Sequence, residues 1–322
     1  MTIPGSVKEI KKGAFLACGN ISTISLGNGV EIIGNHAFQS CKKLTSINIP
    51  NSVRTIGEYA FSLNECLVSA TISENIDSIA ECLFWGCSSL TSIEIPENIS
   101  LIGRSAFYGC NSLSLIDIPN KVTDIGDCAF YGCNNLVSVT IGGSVSKIGT
   151  GAFYDCNNLL SISIPDGVVE VAEVAFGRCS MLKNIELGSH IETFGKNVFV
   201  GCSGVELLIV KGNLVPLIPS DVFTRIILYS LDPPQTEEFA DAVYQNCKLY
   251  VPQKVLDEYL NADVWSKFSH IMTIEGSSIG NICNEEPDKV IYDLRGFRYS
   301  DVETLEKGVY IVNGRKVVVD NK

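Results

Sequence analysis

The chain has 322 residues, of which 46% are hydrophobic and 19% are charged, and its formal net charge at pH 7 is −12. This composition excludes an intrinsically disordered chain, and the negative charge argues against nucleic acid or an anionic membrane as a partner, because both require a basic surface. No apolar stretch approaches the roughly 20 residues that a membrane-spanning helix needs.

The chain begins within a repeating unit, because Ile3-Pro4 is in phase with Ile49-Pro50 further along. No basic segment followed by an apolar stretch precedes it, so the sequence contains no signal peptide. A solenoid also needs a cap at its end. We therefore expect the sequence to be trimmed, with an export signal or a cap lost from its start.

A phenylalanine recurs every 23 residues across nine repeats. A constant period of this size predicts a stacked solenoid in place of a globule with one central core. Solenoids present long surfaces, so the period favours binding over catalysis. The nine residues are Phe15, Phe38, Phe61, Phe84, Phe107, Phe130, Phe153, Phe176 and Phe199.

Other positions keep the phase of the phenylalanine and give the unit L-x-x-I-x-I-P-x-x-V-x-x-I-G-x-x-A-F-x-x-C. Within it, I-x-I alternates apolar and polar residues, which is typical of a strand. The Pro or Gly that follows ends the strand and turns the chain. Stacked copies are predicted to form a parallel sheet with one strand per turn, while the remaining apolar positions fill the interior.

This unit resembles the leucine-rich repeats of the BspA-like (treponemal) class, and the resemblance covers roughly the first two-thirds of the chain. It implies a β-rich leucine-rich repeat solenoid and a role in adhesion at the surface of Bacteroidota-type bacteria. The Asn ladder of the commonest leucine-rich repeat is missing, and Val53, Ile99, Val122 and Val168 lie near its place. The turns are therefore expected to close by apolar packing.

Eight of the thirteen cysteines occupy one position of the unit, three residues after the phenylalanine. Only Asn64 interrupts this row. Free cysteine is among the most buried residue types, so the row is predicted to be a ladder of reduced core thiols. Disulfides between neighbouring turns, or ligands, are the alternative, because stacked turns bring such residues within about 5 Å. The row is Cys18, Cys41, Cys87, Cys110, Cys133, Cys156, Cys179 and Cys202.

The sequence contains no catalytic or metal-binding constellation that we can identify. His36, His190 and His270 have no second histidine or cysteine pair at metal-ligand spacing and are predicted to lie at the surface. No nucleophile-elbow, Walker or dinucleotide glycine motif is present. We expect no enzyme activity, no metal and no cofactor.

The predicted strands place two rows of small polar residues on one face of the solenoid. This face is mildly acidic and rich in hydrogen-bonding groups, and solenoids commonly bind through such surfaces. A purely solubilising role for the small hydroxyl residues is the alternative. The candidate ligand-binding residues on this face are Asn48, Glu94, Asp117 and Glu186.

A second candidate surface is aromatic. The residue after the repeat phenylalanine is Trp85, Tyr108, Tyr131 and Tyr154 in four successive turns. Tyrosine and tryptophan bury much area on contact at small entropic cost, so this row is a candidate for ligand binding. Local packing that shields the neighbouring glycine turns is the alternative.

The sequence divides into three regions, because the strict phase ends after Phe199. Residues 1–210 are predicted to form the leucine-rich repeats, and residues 211–276 the degenerate repeats and a C-terminal cap. Strand-like runs continue at 23-residue spacing through Val251 and Ile274. A short amphipathic helix between Pro252 and Phe268, with Val255/Tyr259 and Leu256/Leu260 as i, i+4 pairs, is predicted to cover the open end.

Residues 277–322 are predicted to be a linker and a short β-rich tail. Asn313-Gly314, between Tyr310–Val312 and Lys316–Val319, predicts a hairpin. The tail resembles the C-terminal tails of exported proteins in the same bacteria, which are linked to secretion and surface attachment. A small β-module that docks on the cap is the alternative.

The sequence thus predicts a non-catalytic binding or adhesion module that is secreted or held at the cell surface. Its expected partners are proteins or glycans of host or bacterial surfaces, and not nucleic acid. A structural spacer or self-assembling scaffold is the alternative function, and an enzyme with an unrecognised site is the third. The repeat pattern leaves the oligomeric state and the identity of the ligand open.

Overall fold

The structure, a computed structural model, describes residues 1–220 and 223–274, and four strands between residues 291 and 319. Residues 1–274 coil into a parallel β-solenoid of about 12 turns with a period near 23 residues. The predicted fold class is therefore confirmed.

One strand of each turn contributes to a first parallel ladder along the solenoid, which is divided into three hydrogen-bonded sheets by breaks between residues 93 and 115 and between residues 140 and 161. Ile47 is buried between the exposed Ser46 and Asn48, as the I-x-I pattern predicts. Partners in neighbouring turns lie one period apart, as in Ser46 opposite Ser69. The strands of this ladder are β1 (Thr2–Ile3), β3 (Thr23–Leu26), β5 (Ser46–Asn48), β7 (Ser69–Thr71), β9 (Ser92–Ile93), β11 (Leu115–Asp117), β13 (Ser138–Thr140), β15 (Ser161–Ser163), β17 (Asn184–Leu187), β19 (Leu207–Val210), β20 (Arg225–Leu228), β21 (Lys248–Pro252) and β22 (His270–Ile274).

A second ladder corrects the prediction of one strand per turn. The V-x-x-I segment after the Pro or Gly is extended for two residues, with the first outward and the second buried, as in Thr55 and Ile56. Because these strands are only two residues long, strand periodicity in the sequence does not reveal them. They are β2 (Glu9–Ile10), β4 (Ile32–Ile33), β6 (Thr55–Ile56), β8 (Ser78–Ile79), β10 (Leu101–Ile102), β12 (Asp124–Ile125), β14 (Lys147–Ile148), β16 (Glu170–Val171) and β18 (Thr193–Phe194).

The repeat phenylalanines form a continuous column in the core. From Phe38 to Phe199 their side chains are fully buried, and neighbouring rings are stacked with centroids 5.1 to 5.9 Å apart. Phe15, in the first turn, is only half-buried. Each ring therefore completes its burial only when a further turn stacks upon it, as expected for a repeat unit that cannot form a core alone.

The segment around each phenylalanine is a tight turn held to the next turn by backbone hydrogen bonds. In one turn, the N–H groups of His36, Phe38 and Ser40 donate to carbonyls of the following turn at 2.8 to 2.9 Å. His36 and Ser40 have left-handed backbone conformations, with φ of 56° and 58°. Side chains other than glycine disfavour this region by about 1 kcal/mol or more, and the hydrogen bonds to the next turn offset that cost.

The cysteine row is buried as predicted from Cys41 onward, with Cys18 half-buried in the first turn. The row has a polar role in addition to packing. The thiol of Cys87 donates to the carbonyl oxygen of Phe61 at 3.2 Å, and those of Cys110 and Cys133 make the same bond to Phe84 and Phe107 at 3.3 Å. Each thiol thus gives a carbonyl of the preceding turn a second hydrogen bond, since the oxygens of Phe84 and Phe107 also accept the backbone N–H groups of Cys87 and Cys110.

Asn64, which interrupts the cysteine row in the sequence, performs the same task. It is fully buried, and its amide Nδ2 donates to the carbonyls of Phe38 and Phe61 at 3.1 and 2.8 Å. Its Oδ1 is buried without a hydrogen-bond partner. Asn64 therefore keeps the inter-turn hydrogen bond but leaves one acceptor unsatisfied.

The last turns keep the strand ladder but lose the period. Leu207 lies opposite Arg225, eighteen positions later, and the following turn returns to 23 with Arg225 opposite Lys248. Val251 lies opposite Thr273 and not Ile274, because this turn is one residue shorter than the sequence pattern predicts.

Two short helices and a cluster of aromatic side chains form the C-terminal cap. The helices are α1 (Asp241–Asn246) and α2 (Leu256–Leu260), and the pattern analysis missed α1. Tyr259 is buried and donates to the carbonyl of Ser230, and Trp265 donates to that of Pro234. Leu260 is 48% exposed, so this member of the predicted Leu256/Leu260 pair points away from the core, whereas Leu256 packs against the core and Tyr259 is buried in it.

The tail forms a four-stranded antiparallel sheet in the order β24-β23-β25-β26. Its strands are β23 (Ile291–Asp293), β24 (Arg298–Tyr299), β25 (Gly308–Val312) and β26 (Arg315–Val319). Val312 lies opposite Arg315, so the predicted hairpin is confirmed. The Asn313-Gly314 turn and the predicted linker lie outside the described residues.

Substitution of Asn64 tests the hydrogen-bond role of the cysteine row. We expect Asn64→Cys to leave the free energy of unfolding unchanged or to raise it by about 1 kcal/mol, because a thiol keeps the bond and removes the orphaned oxygen. Asn64→Ala removes the donor altogether and is expected to lower stability by about 1 to 3 kcal/mol. Urea denaturation of the three proteins measures the difference. An Asn64→Cys protein no more stable than Asn64→Ala would contradict the assignment.

The buried thiols also predict how stability depends on pH. Burial raises the pKa of Cys41 to about 11 and the pKa values of Cys87 and Cys133 to about 12. The thiols bind their protons more tightly in the folded state, so their stabilising effect is complete below pH 9, the ordinary pKa of a thiol, and is lost as the pH rises from there toward 12. We expect urea midpoints, measured with reductant present, to fall above pH 9.

A double variant is the control for this pH dependence. Cys87→Ser/Cys133→Ser retains hydroxyl donors that do not titrate in this range. Its midpoint is expected to fall less steeply with pH than that of the parent. Equal slopes for both proteins would show that the ladder does not cause the alkaline loss.

Candidate functional site

The aromatic row (Trp85, Tyr108, Tyr131 and Tyr154) lies on the outer side of the phenylalanine turn, and each of its side chains is half-buried. Tyr108 and Tyr131 are stacked with centroids 4.8 Å apart, and Tyr131 and Tyr154 at 5.0 Å. Trp85 is tilted by 47° against Tyr108 at 6.2 Å. Both faces of Tyr131 are thus covered by stacked rings, and Tyr108 has one face covered by Tyr131 and the tilted Trp85 on its other side.

The aromatic row ends at buried small residues on both sides. Ser62 and Gly177 occupy the same repeat position in the flanking turns, and both are buried. A Cβ atom at Gly177 would lie 2.6 Å from Cδ2 of Tyr154, so only glycine leaves room for that ring. The guanidinium of Arg178 lies 5.9 Å from the Tyr154 ring centroid and pairs with Asp155 at 3.8 Å.

The electrostatics of the row favour neutral phenols. The pKa of Tyr131 is raised, first by burial and then by the neighbouring Tyr108 and by the Asp155 carboxylate. A phenol whose proton is held more tightly remains a hydrogen-bond donor at its edge. The row is therefore suited to acceptor groups and to apolar area and offers no charge of its own.

A smaller aromatic pair lies two positions before the phenylalanine. His36 and Tyr59 are stacked at 5.0 Å. The pKa of Tyr59 is raised, chiefly by its hydrogen bond with Cys82 in the following turn. The sequence analysis missed this pair, although its members lie one period apart and can be found by reading that column of the repeat.

The sheet face, which we define as the outward residues of the first ladder, carries the other sequence candidates on separate turns. Asn48 accepts a hydrogen bond from Thr71. Glu186 accepts from Ser163 at 3.1 Å and pairs with Lys211 at 2.7 Å. Glu94 and Asp117 are exposed on successive turns. The structure thus aligns the four candidates in one column without gathering them into a pocket.

A Ser/His/Asp group at the surface brings together the residue types of a hydrolytic site. Ser189 donates to Asp166 Oδ1 at 3.0 Å, and Nδ1 of His190 lies 3.0 Å from both the Ser189 hydroxyl and the Asp166 carbonyl oxygen. In a catalytic triad the histidine bridges serine and carboxylate. Here the carboxylate binds the serine directly and all three residues are exposed, so the group stabilises a turn.

A cleft of about 320 Å³ lies near the C-terminal end. Its lining includes Ser203, Ser220 and Glu238 together with apolar residues such as Leu217 and Phe239. Glu238 is paired with Lys267, and the lining residues offer no convergent set of titratable groups. Within residues 1–220 and 223–274 no three His, Cys, Asp or Glu residues are arranged to hold a metal ion.

No helix in the described part of the chain is long and apolar enough to cross a membrane. No curated protein matches the sequence. A solved leucine-rich repeat protein from Bacteroides ovatus is similar, with 29% identity over 71% of this chain and 68% of that chain, and a TM-score of 0.53.

Two further solved proteins are similar at lower TM-scores. A T. pallidum leucine rich repeat protein has 28% identity over 64% of this chain and 77% of that chain, with a TM-score of 0.41. A leucine rich cell surface protein from Faecalibacterium prausnitzii has 22% identity over 87% of this chain and 89% of that chain, with a TM-score of 0.40.

The family description "BspA type Leucine rich repeat region (6 copies)" matches residues 8–137 and 123–250. These ranges cover well over half of the sequence and contain the second ladder, most of the first, the phenylalanine column and the aromatic row. The chain belongs to the family of BspA-type leucine-rich repeat proteins.

Proposed function

We propose that this protein is a non-catalytic binding module, exported or held at a bacterial cell surface, that contacts a macromolecule of host or bacterial origin. The single observation that carries the proposal is the aromatic row. Four half-buried aromatic side chains in successive turns form a continuous surface on a rigid frame, and Tyr and Trp are the residues that dominate protein interfaces. The family membership supports a binding role.

The stacking of the row favours a protein partner over a glycan. Sugars that bind aromatic residues pack against ring faces, and stacking covers both faces of Tyr131 and one face of Tyr108. Ring edges and phenol groups instead supply hydrogen bonds and apolar area to a surface that lies along the solenoid. The partner is therefore a protein segment that runs parallel to the stack of turns.

The sheet face is the second candidate surface. Exposed Glu94 and Asp117 give it a negative character, and the whole chain carries a net charge of −12. A ligand bound there would be basic, and its association would weaken as ionic strength rises. Adhesion as the biological outcome of either contact is part of the same proposal.

The Tyr108→Ser/Tyr131→Ser variant tests the aromatic row. We expect at least a tenfold loss of affinity for any protein that the parent chain captures from extracellular matrix, mucus or bacterial envelope extracts, because the central contact area is removed. Binding of the purified partner is measured by surface plasmon resonance, and circular dichroism checks the fold.

Matched controls exist at the same repeat position in the terminal turns. Leu16 and Val200 are 51% and 38% exposed, and Leu16→Ser/Val200→Ser is expected to bind as the parent does. A second variant, Asn48→Ala/Glu94→Ala, reports on the sheet face. Full binding by Tyr108→Ser/Tyr131→Ser would refute the role of the row, and loss confined to Asn48→Ala/Glu94→Ala would assign the site to the sheet face.

A further inference from the structure

The outward residues of the sheet face differ in burial along the solenoid. Ser46, Ser69 and Ser92 are exposed in the early turns. In the same column Ser138 is only 3% exposed, and Ser161 is half-buried. All five residues are serines at the same position of the repeat, so neither residue type nor position in the unit explains the difference. Another part of the molecule therefore covers this face at the turns of Ser138 and Ser161.

The covered turns also carry an apolar patch on an otherwise polar surface. Leu115, Val137 and Leu160 point outward in three successive turns and are half-buried. Val68 occupies the same repeat position as Val137 three turns earlier and is 45% exposed. Patches of this kind mark contact sites, because exposed apolar area in water is unfavourable.

The strand that lies against this patch belongs to the chain itself. Strand β26, the last of the four-stranded tail sheet, is in contact with β13, which contains Ser138. Sixteen residues join Ile274 to Ile291. At about 3.3 Å per residue they reach some 50 Å, and β13 lies six ladder steps of about 4.8 Å from β22, so the connection is long enough.

Charge supports the same pairing. Residues 291–322 contain six Lys and Arg against five Asp and Glu, whereas residues 1–290 contain 18 against 31. Strand β26 begins with Arg315 and Lys316 and contains no acidic residue, and the neighbouring strand β11 ends in Asp117. A slightly basic module therefore meets an acidic solenoid.

We propose that the C-terminal β-module of this chain docks on its own sheet face, over the apolar patch at Leu115, Val137 and Leu160. The docking site is the middle of the sheet face. Docking of the tail on the C-terminal cap is instead the alternative that the sequence alone suggests. The module leaves the face of the early turns and the aromatic row open. The inference does not depend on the identity or the existence of an external ligand.

The full-length chain tests this by hydroxyl-radical footprinting, which measures how fast each side chain is oxidised by solvent radicals. In the parent protein we expect Val137 to be labelled several-fold more slowly than Val68, because β26 lies against the strand that directly follows Val137. Equal labelling of the two valines would overturn the proposal, whatever the variants show.

Two matched variants place a positive charge on the face. Val137→Arg/Ser138→Arg lies under the module, and Val68→Arg/Ser69→Arg lies at the same repeat positions in the open part. In the first variant we expect labelling of Leu115 and Leu160 to rise several-fold and amide exchange in β25 and β26 to accelerate. The second variant should leave both signals at parent values.

Thermal unfolding of the solenoid is recorded for both variants, so that loss of docking is separated from loss of fold. Leu115 and Leu160 that stay protected in a folded Val137→Arg/Ser138→Arg protein would overturn the proposal. If that variant fails to fold, the comparison of Val137 with Val68 in the parent still decides it.

Discussion

The solenoid depends on one requirement: the backbone N–H and C=O groups of each turn must lie opposite their hydrogen-bond partners in the next turn. The N–H groups of His36, Phe38 and Ser40 all donate to the following turn, and the strands of both ladders pair one period apart. An insertion of one residue within the tight phenylalanine turn would move these three donors away from their acceptors. The constant period of 23 residues is therefore a hydrogen-bonding constraint, and the apolar column follows it. Where the constraint relaxes, after Phe199, turn lengths change and the helices α1 and α2 enter.

Inward-facing residues could be predicted from the sequence because one unit repeats nine times. The column of phenylalanine, the buried cysteines and the alternating strand all follow from apolar residues that recur in phase. The left-handed positions could not be predicted, since Tyr59 and Cys82 occupy them and neither residue type signals positive φ. The hydrogen bond of Asn64 was also hidden, because in a sequence a polar residue in an apolar row reads as an interruption. Its function emerges only when the carbonyl of the preceding turn is seen to need a donor.

The candidate site could also be predicted only in part from the sequence. The aromatic row was found from residue identity, since Trp85, Tyr108, Tyr131 and Tyr154 stand at one position of the unit. The groups that the row exposes could not be predicted in the same way, because the period fixes which side chains are neighbours but does not fix how their rings are oriented. A spacing of about 5 Å between turns brings adjacent rings close enough to stack. Neighbouring rings in an aromatic row on a solenoid then cover each other's faces. The stacked part of the row therefore presents ring edges and phenol groups to a ligand.

The repeat also gives each outward residue an equivalent in every other turn, and this makes small differences interpretable. Val68 and Val137 have the same residue type and the same repeat position, so their difference in exposure reports what surrounds each of them in its own part of the solenoid. A globular domain offers no such comparison, because each surface residue there has a unique setting. Because the interior of the solenoid is uniform, differences along its exterior can be compared turn by turn. Leu115, Val137 and Leu160 are half-buried on successive turns next to β26, whereas the apolar Val68 in an earlier turn is 45% exposed.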